Sequence, residues 1–374
     1  MMDSPLATSA GMDHSESASL LPKVSVCMIS YNHAKFIAES IESVLSQKRD
    51  GLTLEFIIAD DASTDATQDI IREFQERHPE IIKPILRPTN WGVTRNFTDA
   101  LGRCKGEYVA IIEGDDYWTV GTKLESQLRL LQSDSQTSLV FGNAIVVDEQ
   151  GHQLGHCRSA SEAPHRFGRT ELIARTLGVV PTGSAMFRRS LLQNFPAWAM
   201  DLPFTDRVLW SLAAAQGTLT YTAEILAAYR VHAQGTYNSL RFESLDLSLT
   251  KALRWIEADL ILCDHWHSIF PAECEAAIRK SKAYELLNAA WVLRLQRQPR
   301  DAFTRIFNAL KANPRALWRS RSFYSALFYS LIPVADTRLE SHRAAHFERL
   351  KKGSTYWSFA PQPAKDELLP NSLQ

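Results

Sequence analysis

The stretch Val109-Ala110-Ile111-Ile112-Glu113-Gly114-Asp115-Asp116-Tyr117-Trp118 decides how this chain is read. The apolar run from Tyr108 to Ile112 has the length and composition of a buried strand. It ends abruptly in the carboxylates of Glu113, Asp115 and Asp116. Carboxylates at that spacing just past a strand end do not belong in a core, and in an open α/β sheet ligands bind at the carboxyl ends of the strands. Oxygens converging within a few residues suit a hard divalent cation such as Mg²⁺ or Mn²⁺. For an isolated run, a solvated acidic turn closed by Gly114 would explain the pattern as well. The neighbouring segments favour the first reading.

Upstream, Val24 to Ile29 reads as a first strand. It is followed by the loop Ser30-Tyr31-Asn32-His33 and by Ile37, Ile41, Val44 and Leu45 at helical spacing. The loop has no G-x-G-x-x-G, and no G-x-x-x-x-G-K-[ST] occurs anywhere, so neither a dinucleotide fingerprint nor a P-loop is present. Tyr31 is placed either to stack on a base or to pack at the sheet edge. Leu54 to Ala59 reads as a second strand, ending in Asp60-Asp61-Ala62-Ser63-Thr64-Asp65-Ala66-Thr67 ahead of a helix marked by Ile70, Ile71 and Phe74. Ser63 or Asp65 can cap that helix. Asp60, at the strand tip, is the one read as accepting a hydrogen bond from a base N–H, which would select uracil or guanine. Asp61 is left without a role.

Ile81 to Leu86 reads as a third strand, and Asn90-Trp91-Gly92 leads into a helix marked by Val93, Phe97, Ala100 and Leu101. Arg95 opposes the dipole of that helix start, so it is read either as facing a phosphate or as solvated. Beyond the acidic strand end come a helix with Lys123, Leu124, Leu128 and Leu131 and a strand from Leu139 to Val147. This β-α alternation predicts a three-layer α/β/α sandwich with a mostly parallel sheet. The acids at strand ends two and four would line one crevice.

His152 to Gly168 has little periodicity and reads as a long loop, a candidate lid. Pro181 to Phe187 is a turn and short strand without the G-x-S-x-G elbow of a serine hydrolase. Asp206 sits where the helix from Arg207 to Gln216 would take its N-cap. Thr218 to Tyr221 and Ile225 to Tyr229 read as two further strands, followed by Arg230-Val231-His232. After Ser239 the pattern is helical to about Leu350. Cys263, His265, His267 and Cys274 fit no usual zinc spacing. From Arg294 to Arg321 basic residues interleave with apolar ones, which reads either as ordinary solvated arginines or as a basic amphipathic surface for anionic lipid.

At 374 residues and 45% hydrophobic, the chain can bury a sizeable core, and a net charge of −1 argues against nucleic acid as a partner. Its five cysteines show no framework spacing, which favours a reducing compartment. The Ser/Ala-rich leader lacks a signal peptide's basic start and apolar centre, and no apolar run approaches the ~20 residues of a membrane span. The expected organisation is a disordered leader (1–22), an α/β domain (23–239) and a helical extension (240–374). The expected location is cytoplasmic, with peripheral contact at the inner face of an anionic membrane.

Taken together, residues from about Lys23 to Ser239 resemble the family 2 inverting glycosyltransferases of GT-A fold. The resemblance rests on Val24 to Asn32, Asp60 to Asp65, Asn90-Trp91-Gly92, Glu113 to Trp118, Thr205-Asp206-Arg207 and Tyr229 to His232. It implies that Ser30, Tyr31 and Asp60 hold the nucleotide base, that Glu113 faces the ribose, and that Asp115 holds Mn²⁺ or Mg²⁺ with His232 near the metal or diphosphate. It also implies that Asp206 is the catalytic base. The implied donor is a nucleotide sugar, a UDP-sugar by expectation, and the implied acceptor is a glycan or lipid-linked hydroxyl in cell-surface polysaccharide or glycoconjugate assembly. In two departures from the family pattern, Glu113 replaces a more usual Asp and Thr-Asp-Arg replaces an acidic pair or Gly-Asp-Trp. The competing classes are an inactive nucleotide-sugar-binding protein on the same fold and a nucleotidyltransferase. The latter would bring a glycine-rich N-terminal loop that Ser30 to Phe36 lacks.

Overall fold

The computed structural model describes residues 21–235 and 244–314. The first half alternates as expected: β1 (Lys23–Ser30), α1 (Ile37–Leu45), β2 (Thr53–Asp60), α2 (Thr67–Arg77), β3 (Ile82–Leu86), α3 (Val93–Arg103) and β4 (Tyr108–Glu113). These strands lie in the order β3-β2-β1-β4, all parallel, so that Ser30 stands beside Asp60 and Ile29 beside Glu113. The register therefore brings the carboxyl ends of β1, β2 and β4 to one edge.

The period-2 geometry of β1 divides its side chains between two cores. Val24, Val26 and Met28 pack with Ile37, Ile41 and Val44 of α1, whereas Cys27 packs with Phe97, Ala100 and Leu101 of α3 on the opposite face. Ile37 and Ile41 are fully buried, each contributing roughly 1.5–3 kcal/mol of hydrophobic stabilisation. A polar residue at either position would detach α1 from the sheet.

The second half continues with β5 (Tyr117–Trp118), α4 (Lys123–Ser133), β6 (Thr137–Val147), β7 (Gln153–His156), β8 (His165–Phe167), α5 (Arg169–Ile173), β9 (Met186–Arg188), α6 (Asp206–Gln216) and β10 (Thr218–Arg230). β9 runs antiparallel between β4 and β6, β10 is parallel to β6, and β5 closes the edge antiparallel to β10, completing a ten-stranded mixed sheet whose longest ladders are parallel. Two expectations need correction here. The two strands expected between Thr218 and Tyr229 are one strand, β10, with register shifts after Tyr221 and a positive φ at Ala223. A bulge interrupts the alternation without ending the strand. The supposed long loop from His152 to Gly168 holds β7 and β8, which pair with β6 and β10. Their exposed faces hide the apolar period.

Three helices follow: α7 (Leu245–Ile269), α8 (Glu275–Leu295) and α9 (Pro299–Ala312). The first joins the main core through Ala258, Leu262, Cys263 and Trp266, while α8 and α9 pack on each other and on α7 through Leu260, Leu286, Leu293 and Ile306. Among the described residues no helix is long and apolar enough to cross a membrane. Of the basic run, Arg294 is buried and Arg305 pairs with Glu257 at 2.8 Å, so neither belongs to a free basic face. Residues 315–321, which carry Arg315, Arg319 and Arg321, lie outside the described residues.

Candidate active site

A cleft of about 570 Å³ opens at the carboxyl edge of the sheet. Ser30, Tyr31 and Asp61 line one part of it, His33, Glu113 and Asp115 the middle, and Thr182, Phe204, Asp206, Arg207 and Trp255 the other side. The loops after β1 and β2 are tied together. Asn32, in the left-handed region at φ 57°, donates its N–H to Ser63 Oγ at 2.8 Å and accepts from Thr64 N at 2.8 Å.

Asp60 does not reach the cleft. It is fully buried and accepts from Ser30 Oγ at 3.0 Å, Ser63 N at 2.9 Å, Gln68 Nε2 at 2.7 Å, and Ser63 Oγ. Its lone pairs are spent on the loop, so a contact from Asp60 to a base is corrected. The neighbouring Asp61 borders the cleft instead, its two oxygens accepting from Trp91 N at 2.7 Å and Gly92 N at 2.8 Å. Ser30 lines the cleft with its hydroxyl turned to Asp60, and Tyr31 is 45% exposed there. Of the two readings of Arg95 the structure has the exposed one: it lies over the Trp91 ring at 4.4 Å, as Arg87 does at 3.7 Å, and does not border the cleft.

At the end of β4, Gly114 is a packing requirement more than a turn. A Cβ there would meet Ile37 Cδ1 at 2.7 Å and His33 Nδ1 at 2.9 Å. This close approach lets the β1 loop deliver His33 to Asp115. His232 Nε2 lies 2.9 Å from Asp115 Oδ2 and His33 Nε2 lies 3.7 Å from it. One ligand atom from each of the three residues falls within 4.8 Å of the others. Burial pushes the Asp115 carboxyl up, but His33 and His232 outweigh that and hold it below the usual carboxylate range.

Sequence reasoning singled out Asp115 and His232 and missed His33. The available signal was a histidine in the loop after β1, next to a glycine at the facing strand end. Two imidazoles and a carboxylate form a donor set suited to a transition-metal cation. It fits Mn²⁺ better than Mg²⁺, which prefers oxygen ligands.

Arg230 locks this strand end. Its N–H donates to Asp116 Oδ1 at 2.8 Å, its Nε to the Asp115 carbonyl at 2.9 Å, and it pairs with Glu39 at 2.6 Å. Asp116 thus serves the scaffold. Glu113 is different, because its Oε2 is buried with no hydrogen-bond partner. Burial, then the charges of Asp115 and Asp206, raise its pKa to about 8. An unsatisfied buried oxygen beside three histidine and aspartate donors is what a site built for a polar ligand presents.

Asp206 is the first residue of α6 and does not cap it. The N-cap position is Thr205, and Asp206 Oδ1 accepts from the next N–H, Arg207, at 2.8 Å. Thr182 Oγ1 lies 3.5 Å from Oδ2. Burial raises the Asp206 pKa, with Arg207 opposing. The capping explanation therefore fails geometrically, leaving a partly paired carboxylate at the cleft wall.

The fold is an α/β domain with metal-competent donors and a buried carboxylate at one strand-end cleft. Residues 25–195 match the model of the family described as Glycosyl transferase family 2. An uncharacterized protein of Mycobacterium tuberculosis is 37% identical over 220 residues, covering 58% of this chain and 61% of that protein. The chain therefore spans about three-fifths of that relative's length. The Escherichia coli UDP-Glc:alpha-D-GlcNAc-diphosphoundecaprenol beta-1,3-glucosyltransferase WfaP is 35% identical over 113 residues, covering 30% of this chain and 42% of that protein. The crystal structure of S. aureus TarS 1-349 with UDP-GlcNAc superimposes with a TM-score of 0.60 at 19% identity, over 89% of this chain and 93% of that one. Mannosyltransferase PcManGT from Pyrobaculum calidifontis, solved with GDP-Man and Mn²⁺, gives 0.53 at 18% identity, over 89% of this chain and 86% of that one. These two structures establish the GT-A-type fold.

Proposed function

We propose that this protein is a metal-dependent inverting glycosyltransferase that moves a sugar from a UDP-sugar to an acceptor hydroxyl in cell-surface polysaccharide or glycoconjugate assembly. The observation that carries the reading is the sharing of one cleft by Asp206, His33 and Asp115, with His232 2.9 Å from Asp115. The names of WfaP and of the TarS complex support a UDP-sugar, and the PcManGT complex supports Mn²⁺.

In this reading Tyr31 and Asp61 receive the base, and Glu113 faces the ribose. Asp115, His33 and His232 would hold the cation, which when bound supplies a Lewis acid for the diphosphate leaving group. Asp206 accepts the proton of the acceptor hydroxyl as it attacks the face opposite the diphosphate. Burial favours this role, because a carboxylate with a raised pKa is a stronger base, and such a group typically contributes ~10²–10⁴-fold. One displacement inverts the anomeric centre.

The test is release of the nucleoside diphosphate, UDP or GDP, from a panel of UDP- and GDP-sugars with Mn²⁺, for wild type and Asp206→Asn. The variant should bind donor almost normally and lose ~10²-fold or more in turnover. Transfer at close to the wild-type rate would remove Asp206 from the mechanism.

A further inference from the structure

The helix that follows the α/β domain reaches back to the base. Arg207, next in sequence to Asp206, pairs with Asp259 of α7, and both side chains are about nine-tenths buried. The guanidinium lies 4.7 Å from the Phe204 ring and 5.5 Å from that of Trp255, another α7 residue, and those two rings stack at 5.7 Å. Asp259 in turn lies 3.7 Å from Arg175, which pairs with Glu285 of α8 at 3.1 Å. The four charges balance.

Burying four charges is a poor way to gain stability, because desolvation offsets most of the attraction and apolar replacements are often as stable. The arrangement does, however, fix where the Arg207 charge sits. The Arg207 backbone N–H already engages Asp206 Oδ1, and both residues line the same cleft. Deprived of Asp259, that cation has Asp206 as a carboxylate one residue away. A base locked in an ion pair accepts protons poorly, since the cation favours its charged form.

We propose that Asp259, outside the matched family region, is a positioning residue that holds the Arg207 guanidinium off Asp206 and so keeps that carboxylate available as a base. The inference rests on the reading of Asp206 given above. It also makes the helical extension part of the active unit.

The experiment measures UDP release from UDP-glucose and UDP-N-acetylglucosamine, each saturating with Mn²⁺, together with UDP affinity. Four proteins are compared with wild type: Asp206→Asn, Asp259→Asn, Asp259→Glu, and the double variant Arg207→Met/Asp259→Leu. Asp259→Asn should lower turnover ~10–100-fold with UDP affinity unchanged. Asp259→Glu, which restores the charge, should recover most of the loss. The double variant removes the cation that would pair with Asp206, leaves Arg175 with Glu285, and should come within about fivefold of wild type.

A folded Asp259→Asn protein with wild-type turnover overturns the proposal. So does a double variant as slow as Asp259→Asn, because a purely structural role predicts no rescue. If Asp206→Asn itself turns over normally, the base reading fails first. If Asp206→Asn is slow and Asp259→Asn is not, only the present inference fails.

Discussion

Asp60 at the end of β2 and Asp115 just past the end of β4 follow apolar strands of similar composition, open into acidic clusters, and lie at one edge of one sheet. Their surroundings differ in the number of donors that arrive. Around Asp60, the hydroxyls of Ser30 and Ser63, the Ser63 N–H and the Gln68 amide use up the carboxylate. Around Asp115 the partners are two imidazoles, and the adjacent Glu113 keeps a buried oxygen with none. A saturated carboxylate stiffens a loop, whereas groups left with ligand-binding capacity form a site. Position at a strand end is thus a necessary sign of function, and the local donor count separates the two cases.

The contrast is tested most severely at Asp115. Asp115→Asn should weaken Mn²⁺-dependent UDP binding by on the order of 100-fold while the fold survives, because it removes a ligand charge and leaves the strand intact. Calorimetry with and without Mn²⁺ measures this. Unchanged metal-dependent affinity would place the cation elsewhere.

Asp60→Ala should do the reverse. Stripping several buried donors of their acceptor costs about 1–3 kcal/mol of stability, read by urea unfolding, and the folded fraction should still bind UDP. Loss of binding without loss of stability would return Asp60 to the nucleotide.

A subtler effect is expected from Glu113 in the metal-free protein. In the unfolded chain this glutamate ionises near its ordinary value of about 4.3, whereas in the folded state it holds its proton up to about 8. Between those values the folded state binds more protons than the unfolded one, so stability falls as pH rises through that window and levels off above it. The raised Asp116 carboxyl adds the same sign. Melting temperatures from pH 5 to 9 in EDTA should therefore decline for wild type and decline less for Glu113→Gln. Parallel curves would mean that Glu113 is ionised throughout.

The smallest effect is expected at Arg95. Arg95→Ala loses only an exposed stacking contact with Trp91, so stability should change by less than about 0.5 kcal/mol and UDP affinity should hold. A clear drop in affinity would show that the arginine swings to the diphosphate.

Local physics made much of this protein legible from its sequence. Short apolar runs and period-3.6 patterning located β1 to β4 and their helices, because each segment's burial is written in its own residues. The abrupt change from Ile112 to Glu113 marked the edge where the site lies. The places where that reading failed are those decided by distant chain. β10 kept its pairing through a bulge because β6 supplied a continuous partner. Gln68 and Ser30 reached Asp60, and so turned Asp61 rather than Asp60 to the cleft. His33 was recruited because Gly114 leaves no Cβ between two loops some eighty residues apart in sequence. Arg207 found Asp259 on a helix beyond the matched family region. A chain's periodicity determines which faces are buried, and so the strands and helices. Which of two adjacent carboxylates stays available to a ligand depends on donors contributed by other elements, and only the tertiary structure brings those together.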